Sequence, residues 1–511
     1  MSGDYTRKSA VNAIISLVTQ LSSNLLSFVS RYIFIHCLSE EYLGINGLFS
    51  NVLTLLSFAE LGIGEALAYA MYKPMKEHDQ RKLRALLSFY KIAYWWIMGA
   101  VLFIGIAISF FVDGLVSQKP DIPENFQILF CLFLINNAMS YFMVYKQSVL
   151  MVDQNRYVVS IVRQATYVGQ IIIQSIFLIV TRNYYVYLLW QIAGTIVTNM
   201  LLSIYVDKKY PWAKCSGKQD KLSTDEKQSI YRDIKDLSIS KIAGVISNGS
   251  DNIIIAKLVD LVSVGLISNY TMVINALNGI LWGALSSITG SIGQFNVDSD
   301  IKEKRKIFDE LYLCTFWLYS FLCIGLMTLL SPLVSVWLGS KYTVAQPIVI
   351  ALVAITYISG LNFPFYTFRV TCGLFAPMKY NYVYYAILNV ALSVVLCNRF
   401  GVFGVYVATS LSRLVAAEFK EGVIVYKNIL QKSMWKYFVK YILYAGLFFG
   451  VYLITQSVVN LVTVPGWLGL IAKGALCTVC VNVIYLLVFA RTGSFIGLFN
   501  KCKRLVWSKI R

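Results

Sequence analysis

The stretch GINGLFSNVLTLLSFAELGIGEALAYAMY, residues 44–72, restricts what this chain can fold into. It is long enough to cross a bilayer, for which about 20 apolar residues suffice. Its only charges are Glu60 and Glu65. On a straight helix Glu60 lies ~24 Å along from Gly44, past the middle of a hydrocarbon core about 30 Å thick. A carboxylate there costs on the order of 3 kcal/mol unless it faces protein or water. Glu60 and Glu65 are roughly 140° apart around the helix axis, so they do not share a face. Gly62 and Gly64 permit bending or close helix approach. The basic segment KPMKEHDQRKLR follows directly.

Similar apolar blocks recur along the 511 residues, which are 57% hydrophobic and 14% charged. That pattern is not a soluble core; it specifies an all-α polytopic membrane protein. Counting blocks gives about fourteen transmembrane helices. The connectors alternate between a basic set, such as Lys73 to Arg84 and Lys208 to Lys235, and a short set nearly free of Lys and Arg. By the positive-inside rule both termini are expected to be cytoplasmic. The N-terminus, MSGDYTRKSA, runs into a long span without a cleavage site, so the first helix is expected to stay.

The 44–72 stretch has an echo about 220 residues on, where Ser263-Val264-Gly265-Leu266 aligns with Tyr42-Leu43-Gly44-Ile45. The expected organisation is a six-helix lobe over 1–205, a cytoplasmic linker over 206–236, and a second six-helix lobe over 237–426. Two extra helices and a basic tail then fill 427–511. Both lobes start inside, so a pseudo-twofold axis along the membrane normal relates them. The segments 73–88 and 293–307, and the tail NKCKRLVWSKIR, read as helices lying on the inner surface.

Several chemistries are excluded or weakened. The net charge of +19 follows the positive-inside pattern rather than marking nucleic-acid binding. The ten cysteines are scattered, and Cys477 and Cys480 lie in an apolar helix, so no zinc site or disulfide is implied. No GxxxxGK[ST], HExxH or GxSxG occurs. Asp298-Ser-Asp300 has DxD spacing in a polar loop, which chance explains. Short outer loops argue against a membrane glycan polymerase or glycosyltransferase. No enzymatic activity and no cofactor or metal are expected.

What remains is charge inside spans. Arg31, Arg163 and Lys241 are the candidate substrate-binding residues, and Glu60, Glu65 and Asp251 the candidate ion-coupling residues. Each also has a structural reading, as a member of an internal pair or a side chain reaching the headgroups. Excess cation favours phosphate, which a guanidinium holds bidentately at any cellular pH.

Ser30-Arg31 in the first helix, Glu41 to Ile45, Ala59 to Gly64 and Ser247 to Asp251 together resemble polysaccharide flippases of the multidrug/oligosaccharidyl-lipid/polysaccharide exporter superfamily. The resemblance covers the whole chain by topology. It implies two six-helix lobes in a V, a cavity lined by helices 1, 2, 7 and 8, and alternating access. The implied substrate is undecaprenyl-diphosphate-linked oligosaccharide, for O-antigen, capsule or teichuronic-acid type polysaccharide. The family's first-helix arginine, linked to the diphosphate, and the glycine after it match Arg31 and Gly44. The two last spans resemble an extra pair that some of these flippases carry. A monomer among membrane lipids is expected, in contact with a polysaccharide polymerase. The alternatives are a cation-coupled multidrug exporter of the same superfamily and, from another class, the membrane glycan polymerase or glycosyltransferase.

Overall fold

The computed structural model describes every residue except Met1, 61–62, 154, 215–221, 225, 229, 232–233, 235–248, 375–377, 379 and 508–511. Among the described residues all regular elements are helices. Nine are long and apolar enough to cross a membrane, or ten with one bent pair counted as a span. The expected count of about fourteen is therefore not reproduced. Within the described residues the 44–72 stretch is cut in two and 378–418 lies within one long helical run, while most of 237–258 lies outside them. The chain divides into two compact units, 1–265 and 266–511.

The first unit opens with α1 (Ser2–Cys37), α2 (Glu40–Leu56) and α3 (Ile63–Lys76). A single 3-10 turn, Ser57–Glu60, ends α2 and interrupts the 44–72 stretch. α4 (Gln80–Ser109) starts where the Asp79 side chain accepts from Lys82 N at 3.0 Å. The basic segment 73–88 is thus not a separate surface helix: α3 runs to Lys76, and a turn with His78 at φ 56° leads into α4. α5 (Phe126–Tyr141) is capped by Asn125, which accepts from Gln127 N and Ile128 N. α5 and α6 (Val144–Val152) meet at 41°, and Met143 at the break is left-handed, φ 62°. α7 (Arg156–Thr181) and α8 (Tyr184–Lys209), capped by Asn183, complete the set. Phe49 of α2 packs against Phe126, Phe130 and Phe133 of α5 at 4.9–5.5 Å.

The stretch 249–265 belongs to this unit rather than to the expected second lobe. Ser117 N donates to Ala256 O at 2.9 Å and Ser117 Oγ to Val259 O at 3.0 Å. At Gly44 a Cβ would sit 2.1 Å from Leu261 O, so only glycine lets these backbones cross. The linker is docked and not merely solvated: Lys82 pairs with Glu226 at 2.6 Å, and Phe89 meets Tyr231 at 5.9 Å. The hydrogen bond from Lys82 holds the Glu226 carboxyl below the usual carboxylate range.

α9 (Leu261–Ser286) leads into the second unit, followed by α10 (Thr289–Asp298), α11 (Ile301–Leu338), α12 (Gln346–Leu361) and α13 (Phe363–Thr371). Asn362 separates α12 from α13, and Pro364 opens α13, where its missing N–H costs nothing. α14 (Asn381–Arg413) leaves helical geometry at Gly401, φ 56° and ψ −139°, so its two legs occupy the two spans expected over 378–418. The run continues through α15 (Phe419–Ile424) to Ile429. α16 (Met434–Val459), α17 (Gly466–Phe489) and α18 (Gly493–Trp507) are anchored on α11. Asp309 accepts from Lys432 at 3.0 Å and Lys440 at 2.8 Å, Lys501 donates to Glu310, and Trp317 Nε1 donates to Asn482 at 2.9 Å.

Helix starts repeat at a spacing of about 220 residues: Glu40 and Leu261, Gln80 and Ile301, Phe126 and Gln346. The interruptions after α2 and α5 recur after α9 and α12.

Candidate functional site

α7 carries Ser160, Arg163, Gln164, Tyr167, Gln170 and Gln174 at helical spacing, a polar stripe on an apolar helix. Gln20, Ser23 and Ser27 face it from α1, and Thr195, Thr198 and Asn199 from α8. Ser23 Oγ donates to Gln164 Oε1 at 2.5 Å, and Gln164 Nε2 donates to Ser22 Oγ at 2.9 Å. Ser27 and Tyr167 share a hydrogen bond of 2.9 Å, and Thr198 donates to Thr166 at 2.7 Å. A cavity of about 530 Å³ lies among them, and its described lining residues are Ser, Thr, Gln, Asn, Tyr and Arg. Polar side chains in a membrane span are costly unless they face one another or water, and here they do.

Among the described residues Arg163 is the one charged residue lining this cavity. Its Nη2 donates to Gln147 Oε1 at 2.7 Å, Gln147 donates to Asn199 Oδ1 at 2.8 Å, and Asn199 donates to Met139 O at 2.8 Å. The guanidinium is thus oriented by a neutral amide relay, with no carboxylate opposite. Arg31 lies at the other end of the α1–α7–α8 interface. It is half-buried beside Tyr187 and Tyr184, which stack at 5.8 Å and 19°. Phe34 meets both rings edge-on at 5.8 and 5.4 Å, and Ser30 hydrogen-bonds Tyr187. Tyr167 connects the two ends, bonding Ser27 and lying within electrostatic reach of Tyr187.

The carboxylates are elsewhere. Glu60 sits in the 3-10 turn after α2, and its Oε1 accepts from Tyr94 at 2.9 Å. Tyr94 stacks on Tyr90 at 5.2 Å and 6°, and Tyr90 donates to Gly64 O at 2.5 Å. Among the described residues Glu60 has no ion-pair partner. Glu65 lies on α3, with its side chain outside the described residues. Asp251 is half-buried on the helical stretch 249–258, where Gly249 abuts Leu55 of α2. Lys241 lies outside the described residues. Neither Glu60 nor Asp251 lines the polar cavity.

Sequence reading found both arginines and missed the amides and hydroxyls between them. Their signal was present as the i, i+3, i+4, i+7 recurrence of polar residues along α7, which apolar-block counting passes over.

The architecture is that of solved membrane transporters. A lipid II flippase MurJ in an inward closed conformation superposes with a TM-score of 0.65 at 15% identity, covering 94% of this chain and 100% of that one. An inward-facing multidrug resistance MATE family transporter of the MOP superfamily gives 0.62 at 13% identity, covering 79% and 95%. A Vibrio cholerae MATE transporter, VcmN, gives 0.53 at 13% identity, covering 85% and 100%. These likenesses establish an all-α MurJ/MATE-like membrane transporter fold. Residues 9–289, more than half of the chain, match the polysaccharide biosynthesis protein family, and the chain belongs to that family. No curated protein matches it.

Proposed function

We propose that this multi-pass membrane protein is a flippase, moving undecaprenyl-diphosphate-linked oligosaccharide from the cytoplasmic to the outer leaflet for a surface polysaccharide such as capsule. The observation that carries the reading is membership of the polysaccharide biosynthesis protein family, borne on a fold shared with a lipid flippase. Transport, not catalysis, is the activity, and alternating access is its mechanism. The duplicated lobes supply the two moving bodies, and the repeated helix starts support the duplication. Both termini lie in the cytoplasm of a bacterial cell.

Arg31 holds the diphosphate, with Arg163 and Lys241 adding positive charge along the path. A guanidinium in an aromatic surround is weakly hydrated and can pair with phosphate bidentately. Glu60, Glu65 and Asp251 couple transport to an ion gradient. Glu60 supports this best, since it stands at a helix interruption with a tyrosine partner instead of a cation.

Deleting the gene and analysing lipids by mass spectrometry tests the reading. Undecaprenyl-diphosphate oligosaccharide should accumulate with its sugars on the cytoplasmic side. Accumulation of monosaccharide-linked lipid would indicate a glycosyltransferase instead. Drug sensitivity with normal surface glycan would indicate a multidrug exporter.

A further inference from the structure

The second unit contains a cavity of about 270 Å³ between α9, α12, α13, α14 and α15. One wall is aromatic: Trp282 of α9 and Tyr366 of α13 lie 6.2 Å apart with planes tilted by 47°. Both line the cavity and are exposed at 39% and 37%. The charged groups around it are balanced, and the Arg369 guanidinium lies over one side of the Tyr366 ring at 5.6 Å. Arg413 Nε donates to Glu418 Oε1 at 3.0 Å, Arg369 pairs with Glu421, and Asn362 Nδ2 donates to Glu421 Oε2 at 2.5 Å. Two cations face two carboxylates, so neither a phosphate nor a cationic drug gains net attraction there.

Two acceptors among these groups are unmet by protein donors: Glu418 Oε2 and Asn362 Oδ1 are buried without a hydrogen-bond partner. Glu418 is itself only 5% exposed. A buried acceptor left unmet costs about 1–3 kcal/mol, so the cavity favours a ligand that brings donors. The volume is below the ~300–1,000 Å³ of sites for drug-sized molecules. It equals the space of about nine waters in liquid, enough for one ring and its substituents.

We propose that this cavity is a sugar subsite, in which one neutral, hydroxyl-rich pyranose ring of the glycan lies against Trp282 and Tyr366 and donates hydroxyls to Glu418 Oε2 and Asn362 Oδ1. The proposal rests on the flippase reading and extends it, because it names a place for a sugar within the second unit.

The test compares two probes by native mass spectrometry of the full-length protein in lipid nanodiscs. One is undecaprenyl diphosphate without sugar; the other is undecaprenyl-diphosphate oligosaccharide extracted from the deletion strain. The wild type should bind the glycosylated lipid at least about tenfold more tightly, or ~1.4 kcal/mol. A Trp282→Leu, Tyr366→Leu double variant should lose that preference while binding bare undecaprenyl diphosphate as before. If the double variant does not fold, Glu418→Gln gives the same readout. Arg413 retains the amide oxygen, so an NH₂ donor takes the place of the unmet Oε2 acceptor and the preference falls. A preference unchanged in the folded double variant or in Glu418→Gln, or a wild type indifferent to the sugars, overturns the subsite. A wild type that binds neither lipid overturns the flippase reading itself.

Discussion

The polar cavity of the first unit and the aromatic cavity of the second are built on opposite principles. The first is roughly twice the size of the second, about 530 against 270 Å³. Among the described residues it is lined by hydroxyls and amides with one arginine, and no carboxylate answers that charge. The second places each arginine on a glutamate and leaves stacking faces and two bare acceptors. A net cation selects anions; a neutralised wall with acceptors selects donors. The comparison teaches that similar helical scaffolds can acquire opposite chemical preferences by where countercharges are supplied.

The largest effect should come from Arg31, the second arginine of the first unit, which stands beside Tyr184 and Tyr187 outside the polar cavity. Arg31→Ala should lower export of surface glycan by at least about tenfold, because a bidentate phosphate contact is lost. Arg31→Lys should retain part of it, keeping the charge and losing the fork. Export is read as surface glycan normalised to protein level. Normal export in Arg31→Ala cells would move diphosphate recognition away from this unit. Loss of the protein itself would make Arg31 a structural member of the Tyr184–Tyr187 cluster.

On the other side, the neutralised wall predicts a stability effect. Arg369 is 4% exposed and Glu421 is 1% exposed. Glu421→Ala strands a buried guanidinium and should cost about 3–5 kcal/mol. The check is thermal unfolding in detergent against a Glu421→Ala, Arg369→Met double variant, which should recover most of the loss. Equal instability of single and double variants would mean that the pair does more than cancel charge.

This pair also shows where the sequence was hard to read. Arg31 and Glu60 are visible because each interrupts a long apolar block whose span assignment is unambiguous. Arg369 and Glu421 stand at the edges of apolar blocks, so positive-inside reasoning places them in connectors. The helix from Asn381 in fact continues through two π-helical turns, Leu414–Glu418 and Val425–Ile429, and carries Glu418 and Glu421 into the packed wall. Hydropathy alone does not register a charge whose partner lies 52 residues away. The helix interruptions were equally silent. Met143 is a non-glycine residue at φ 62°, and no local sequence rule marks it. The docked linker was hidden for the same reason, since its polar composition suits solvent as well as a salt bridge to Lys82.

Ion coupling should give the next effect. Glu60→Gln removes a titratable carboxyl but keeps an acceptor for Tyr94, so the turn should survive while export falls several-fold on the order of 1 kcal/mol. Tyr94→Phe should have a smaller effect in the same direction. Export measured across imposed proton gradients separates the outcomes: a Glu60→Gln protein that still responds to the gradient would transfer the role to Glu65 or Asp251. Arg163→Gln should be milder again, a few-fold loss, because the Gln147–Asn199 relay remains and only charge is removed. A loss as large as that of Arg31→Ala would place the principal phosphate contact in the polar cavity and sharpen the contrast with the second unit.

The smallest effect concerns the linker, which touches neither cavity. Glu226 pairs with Lys82 at 2.6 Å, and side-chain exposures of 35% and 40% leave the pair largely open to solvent. The Lys82 hydrogen bond depresses the carboxyl's pKa, so the folded state favours its charged form. The resulting stabilisation is fully present above the ordinary glutamate pKa and disappears as pH falls through the lowered folded value. Exposed pairs of this kind contribute about 0.2–1 kcal/mol and weaken with salt. Hydrogen exchange at residues 222–231 should therefore quicken slightly in Glu226→Gln at neutral pH, and the difference from wild type should vanish in acid or in high salt. Export should be unaffected. If Glu226→Gln changes export as much as Arg163→Gln does, the linker takes part in the transport cycle, and the division of labour between the two cavities is incomplete.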